Sequence, residues 1–281
     1  MKNVGLILEG GGMRGLYTCG VLDYFLLKDV NFSSIYGVSA GACHACSYKS
    51  KQYGRAMKTS MDFLDDSRYA SMYSFLKTGD YFGVDLSYNL IPNNLLPFDY
   101  EAFVKNPAKL NAIITDCDTG EAVCKPVNDL RNDMDLIRAS SSLPLLSRFV
   151  KIDGGKYLDG GIADSIPIDF SIADGNSYNV IILTQHNGFR KQANKMISLL
   201  KFRYRNYPEL VESIRNRHIK YNKTLDLIYD LKRVGKALVI QPNAPVSISR
   251  LEKNRDKLVS LYESGHHDAE AQYSEVIEFL S

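Results

Sequence analysis

An α/β fold with a largely parallel central sheet is predicted by three observations. Short, mostly apolar runs recur along the chain, glycine-rich turns close the first two of them, and a helical apolar period follows each turn. Val4–Leu8 is the first run, read as a buried strand. Met13–Leu27 follows with Leu16, Cys19, Val21, Leu22, Phe25 and Leu26 at helical spacing. Ser33–Val38 is the second strand, and Ala40–Ser50 restarts as a helix of mostly small residues.

Later elements follow the same logic. Leu110–Asp116 and Glu121–Val127 read as strands around the Asp118-Thr119-Gly120 turn. Leu136–Ser142 is helical and stops near Pro144, and Tyr157-Leu158-Asp159-Gly160-Gly161 leads into a turn. Val180–Thr184 is a buried strand, Lys195–Arg205 and Pro208–Asp230 are helices, and Ala237–Gln241 is a last strand. Ile248–Ser264 and His267–Leu280 read as closing helices separated at Gly265. The stretch Arg68–Phe103 differs: nine aromatics are interrupted by Gly79, Gly83, Pro92 and Pro97. It reads either as a cover over an apolar pocket or as an insertion packed on the core. The expected division is residues 1–185 as a catalytic domain and 186–281 as a mainly helical extension packed on it.

The bulk numbers exclude some functions. A net charge of +2 gives no electrostatic case for nucleic acid. Five cysteines without framework spacing favour free thiols and a reducing compartment. The run Val4–Leu8 is too short for a signal segment, and no stretch reaches the length of a membrane span. The expectation is a cytoplasmic protein, at most peripheral on a membrane. The basic helices between Lys191 and Lys236 are the region to make that contact, with a solvated helical face as the other reading.

Gly37-Val38-Ser39-Ala40-Gly41 is a G-x-S-x-G turn between a strand and a helix. Small residues at Gly37 and Gly41 permit a turn so sharp that the serine hydroxyl projects at a strand end, beside a helix N-terminus. A plain strand-to-helix turn capped by serine fits the same five residues. Gly10-Gly11-Gly12-Met13-Arg14-Gly15 can be written G-x-G-x-x-G, the pattern of a dinucleotide site. That use needs an acidic residue closing the second strand, where this chain has the serine turn instead. The other use is an oxyanion hole, with amides of Gly11, Gly12 and Met13 converging because no side chain obstructs them. Arg14 stands ready to steady the loop or to add positive field.

Two Asp-Gly-Gly triplets lie six residues apart, at Asp153 and Asp159. The first sits between Lys151 and Lys156 and reads as a solvated hairpin turn. The second follows the apolar pair Tyr157-Leu158, and Gly160 and Gly161 allow its carboxylate a close approach. Asp159 is therefore the candidate base for Ser39.

These motifs, in this order, together with Ala139-Ser140-Ser141-Ser142-Leu143-Pro144, resemble the patatin-like phospholipase family over roughly the first 185 residues. The resemblance implies a three-layer patatin-like fold, Ser39 as nucleophile, Asp159 as base, and Gly10–Gly15 as the oxyanion loop. It also implies an acyl-enzyme on the serine, a lipid or ester substrate of the phospholipase A, lysophospholipase or esterase kind, and no metal or other cofactor. Three alternatives stay open. A Ser-His-Asp triad would draw on His186 best, then His218, His266 or His267, while His44 would point away from Ser39. Cys43-His44-Ala45-Cys46 offers a C-x-x-C pair without further ligands. The fold could also serve a catalytically weak lipid-binding or regulatory protein. Head group, acyl length and oligomeric state are not legible.

Overall fold

The computed structural model describes residues 3–281. The first half alternates β1 (Val4–Leu8), α1 (Leu16–Leu27), β2 (Ser34–Val38) and α2 (Ala40–Lys49). Short helices α3 (Arg55–Met61), α4 (Met72–Thr78) and α5 (Tyr100–Lys105) follow, with a wide helical turn at Leu86–Leu95 between the last two. Then come β3 (Lys109–Asp116), β4 (Ala122–Val127), α6 (Leu130–Ser140), β5 (Val150–Ile152), β6 (Gly155–Asp159), α7 (Ile168–Ala173) and β7 (Tyr178–Ile182). The chain closes with α8 (Ile197–Arg203), α9 (Pro208–Arg233), β8 (Ala237–Ile240), α10 (Arg255–Ala271) and α11 (Tyr273–Leu280).

All eight strands join one sheet, ordered β5-β6-β3-β2-β1-β7-β8 with β4 against β3. The β3-β2-β1-β7-β8 block is parallel throughout, and β4, β5 and β6 pair antiparallel. Parallel strands covered on both faces must be apolar on both, and the core divides accordingly. Leu6, Leu8, Val180, Ile182, Leu238 and Ile240 face one cluster. The intervening Ile7, Ile181, Ala237 and Val239 face the other, with Tyr36 and Ile168. Helices lie over both faces, so the three-layer α/β arrangement expected from the sequence is the one observed.

Local chemistry explains where element bounds differ from the sequence expectation. The helix expected from Leu136 begins at Leu130, because Asp129 caps it by accepting the Arg131 amide at 3.0 Å. The helix expected from Ile248 begins at Arg255, where Asn254 caps the Lys257 amide at 3.0 Å. Gly265 does not separate two helices; α10 runs through it to Ala271. A Cβ at Gly265 would stand 2.0 Å from the Tyr17 carbonyl oxygen, and one at Gly20 would stand 2.0 Å from that of Tyr262. The two glycines therefore let α1 and α10 cross backbone to backbone. The aromatic stretch 68–103 packs a small cluster of its own around Tyr69, Tyr81, Leu86 and Ile91. It also walls a cavity described below, so it fills both roles considered for it.

Among the described residues no helix is long and apolar enough to cross a membrane.

Candidate active site

The sheet register brings Ser39 and Asp159 together. Val38 at the end of β2 pairs with Ile113, and Asp159 at the end of β6 pairs with Ile114. β4 occupies the opposite edge of β3 along residues 110–115. β2 and β6 must therefore share one edge and meet end to end. Val38, just before Ser39, and Asp159 thus pair with consecutive positions of β3, although Ser39 and Asp159 lie 120 apart in sequence.

Ser39 Oγ donates to Asp159 Oδ2 at 2.6 Å, and both residues are buried. Ser39 has φ 55° and ψ −123°, a backbone conformation that costs a non-glycine residue on the order of 1–3 kcal/mol. Tight neighbours impose it: a Cβ at Gly37 would lie 2.6 Å from Ala42 Cα, and one at Gly41 would lie 2.6 Å from the Leu8 carbonyl oxygen. Ser140 holds the turn from below. Its hydroxyl accepts the Ser39 amide at 2.8 Å and donates to the Ile113 carbonyl at 2.7 Å. Two residues on, the Ser142 carbonyl accepts the Asp159 amide at 2.8 Å. One short segment therefore braces both partners. Ser140 and Ser142 were noticed only as part of a family-like string; their bracing depends on where β3 and β6 end, which the local sequence does not encode.

Asp159 is fixed at its other oxygen by the Gly161 amide, which donates to Oδ1 at 2.7 Å. Gly160 is required for contact of a different sort, since a Cβ there would fall 2.0 Å from the Ile113 carbonyl oxygen. Burial raises the Asp159 pKa above the ordinary carboxylate value, opposed by the Ser39 hydroxyl, by Arg217, by the Gly161 amide and by Arg250. The result is a carboxylate more basic than one in water and in hydrogen-bond contact with a hydroxyl.

The glycine loop lies beside them. A Cβ at Gly10 would stand 3.1 Å from Ser39 Cβ, and one at Gly15 would stand 2.7 Å from Ala40 Cβ. Three of its amides are committed elsewhere: Gly10 donates to the Ser165 carbonyl at 3.4 Å, Met13 to the Arg250 carbonyl at 3.1 Å and Arg14 to the Gly11 carbonyl at 3.3 Å. This corrects the expectation that the Met13 amide faces the serine. Among the described residues, Gly11 and Gly12 are left as the loop's donors without a protein acceptor. Glu9, just before the loop, was missed by the sequence reading. Fully buried, it takes the Thr184 amide at 2.6 Å, the Thr184 hydroxyl at 3.0 Å and the Tyr221 hydroxyl at 2.8 Å. It ties the loop to the segment just after β7 and to the middle of α9.

Over the serine opens an apolar cavity of about 170 Å³, walled by Leu16, Tyr69, Phe82, Tyr88, Ile91 and Phe98 among others. His44 also lines it; burial pushes its pKa down to about 4, so it is neutral near pH 7. None of the five histidines hydrogen-bonds to Ser39 or Asp159. The His186 ring packs edge-on against Phe189 with centroids 6.0 Å apart, and the His218 ring nitrogen meets the Arg215 carbonyl at 3.0 Å. Cys46 bonds back to the Ala42 carbonyl within α2 at 3.3 Å, and Cys43 sits 3.2 Å from Ser141 Oγ; all five cysteines are free thiols. Asp153 and Gly154, with φ of 50° and 82°, form the turn between β5 and β6.

The profile of the patatin-like phospholipases matches residues 6–172, and that of a domain of unknown function, DUF6363, matches residues 207–281. The "Uncharacterized protein YjjU" of Escherichia coli K12 is 31% identical over 184 residues, covering 64% of this chain. The chain spans only 52% of that relative's length. The crystal structure of VipD from Legionella pneumophila aligns with 98% of this chain and 67% of its own, at a TM-score of 0.46 and 11% identity. The first profile takes in more than half of the chain, including Ser39 and Asp159, and by that match the protein belongs to the patatin-like phospholipase family.

Proposed function

We propose that this protein is a lipid acyl hydrolase in which Ser39 is the nucleophile and Asp159 the general base. The observation that carries the reading is the 2.6 Å contact between Ser39 Oγ and Asp159 Oδ2 at the floor of an apolar cavity. In this reading Asp159 takes the hydroxyl proton as Oγ attacks the ester carbonyl carbon. The Gly11 and Gly12 amides receive the charge that develops on the carbonyl oxygen. Collapse of that intermediate expels the alcohol, which leaves with the proton held by Asp159. Water then attacks the acyl-serine, giving its proton to Asp159, which returns it to Ser39 Oγ as the acid departs. Residues 1–185 would supply this chemistry, and residues 186–281 would close the wall beyond the glycine loop.

A histidine-dependent triad has less support, since the group in contact with the serine is a carboxylate. A fluorophosphonate label separates the two. Labelling is expected in the wild type and in every His→Ala variant, and is expected to vanish in Ser39→Ala. Loss of labelling in His186→Ala would sink the dyad. Peripheral contact with lipid is part of the same proposal. Helix α8 exposes Leu199 and Phe202, with Met196 just before it, among Lys195, Lys201 and Arg203. Co-sedimentation with liposomes should increase with anionic lipid, and indifference to lipid charge counts against that contact.

A further inference from the structure

The cavity over Ser39 runs along one face of α2. Ser39, Ala40, Cys43, His44, Cys46 and Ser47 line it, at the spacing of residues that share a helical face. At about 1.5 Å per residue, Cys46 stands about 10 Å along the helix from Ser39. Arg55, the first residue of α3, also lines the cavity and acts electrostatically on Cys46, which places its guanidinium at that far end. The guanidinium lies over the Phe98 ring, 4.9 Å from its centre, and Phe98 belongs to the same wall.

A cation stands there without a counter-ion. Among the described residues Arg55 makes no salt bridge. Its Nη2 donates to the Leu96 carbonyl at 2.8 Å, and its buried Nε has no hydrogen-bond partner. Asp23, which accepts the neighbouring Gly54 amide at 3.1 Å, is engaged by that amide and by the Tyr262 hydroxyl at 2.8 Å. The ionisable groups that act on Arg55 are Cys46 and Tyr100; burial raises both their pKa values, so neither is an anion near pH 7. A second buried donor in the cavity wall, Ser87 Oγ, is also without a partner. An apolar chain laid against this end leaves the guanidinium desolvated and unpaired, which is costly. A carboxylate brought to the same place supplies both the acceptor that Nε lacks and the counter-ion.

We propose that Arg55 is a specificity residue that pairs with a carboxylate at the far end of the acyl chain, so that the substrate is an ester of a medium-chain dicarboxylic acid. The chain lies with its ester carbonyl at Ser39 and its carboxylate at Arg55. Two measures of the cavity set its length. An extended chain covers about 3.5 Å in three bonds, so about eight bonds span the distance along α2. A cavity of about 150 Å³ holds one benzene molecule, so one of about 170 Å³ holds roughly six methylenes. Both point to a diacid of about eight carbons. The inference rests on the acyl-hydrolase reading of Ser39, so its test has an arm that needs no turnover.

In the kinetic arm, kcat/KM at pH 7 is compared for the mono-p-nitrophenyl ester of octanedioic acid and for p-nitrophenyl octanoate, which share leaving group and chain length. Both are used below their critical micelle concentrations. The full-length wild type is expected to prefer the charged ester at least tenfold. Arg55→Met is expected to lower that ratio at least tenfold, and Arg55→Lys, which keeps a cation, to retain part of it. Thermal melts establish that each variant is folded. Should Arg55→Met not fold, the p-nitrophenyl methyl diester of the same diacid makes the comparison in the wild type, where capping the carboxylate is expected to abolish the preference. A wild-type ratio near or below one overturns the proposal. A preference that survives in Arg55→Met, or with the capped diester, overturns it equally. In the arm without turnover, monomethyl octanedioate is titrated calorimetrically into full-length Ser39→Ala, with and without Arg55→Met. Binding that weakens at least tenfold in the double variant, with neither p-nitrophenyl ester hydrolysed by the wild type, supports the Arg55 site and counts against the hydrolase reading alone. No hydrolysis together with no binding overturns the Arg55 site as well.

Discussion

The two Asp-Gly-Gly triplets of this chain occupy opposite environments within one hairpin. Asp153 and Gly154 form the turn, and a Cβ at Gly154 would meet nothing within 4 Å. Asp159 ends the returning strand, buried against Ser39, and the glycine after it is pressed onto the Ile113 carbonyl. Identical residues thus serve a solvent-facing reversal and a packed site. What separates them is the register: only the second triplet lies over β3, where β2 delivers the serine turn.

The largest expected effect lies on this contrast. Asp159→Asn should lower kcat for a chromogenic ester by about 10³-fold or more, a typical loss for a group acting directly in the chemistry. Asp153→Asn should leave it within about twofold, so comparable losses at both positions would erase the distinction. Next, Gly160→Ala must displace backbone, and a loss of about 3 kcal/mol or more is expected in urea unfolding. Gly154→Ala has open space but a φ of 82°, so about 1 kcal/mol is expected. A third acid in the same stretch, Asp164, is buried and its pKa is raised to about 7. The folded state keeps that proton between roughly pH 4 and 7, where the unfolded chain has released it. Stability should therefore fall as pH rises through that window. Asp164→Asn should flatten the fall and gain a few kcal/mol at pH 8, measured as the difference in Tm between pH 5 and pH 8. The smallest effect concerns Asp159 itself. Since burial raises its pKa, the acid limb of kcat/KM should lie above the ordinary carboxylate range. Removing the opposing charge in Arg217→Met should move that limb to higher pH, and a limb that stays put would contradict the coupling.

Much of the fold was legible because its signals are local. Short apolar runs such as Val180–Ile182 and the capped glycine turns report themselves within a few residues. The crowding at Gly37 and Gly41 is likewise inherent in a strand that turns straight into a helix. What was not legible depends on register and on distant chain. Ser140 matters because Ile113 and Ser39 lie on either side of its hydroxyl. Glu9 matters because Thr184 and Tyr221 arrive from β7 and α9. Arg217 and Arg250 look like ordinary basic residues of a helical tail until the tail is folded back. Gly265 shows the opposite failure: a residue that ends helices in many contexts here permits one to continue against another.

That crossing of α1 and α10, with β8 paired along β7, bears on how the gene could be cut. A fragment ending after β7 would contain the whole family match yet present a bare strand edge and a helix stripped of its partner along a glycine-lined seam. Such a fragment is an aggregation hazard rather than a minimal enzyme. Truncation designs for this protein should retain the chain at least through Ala271.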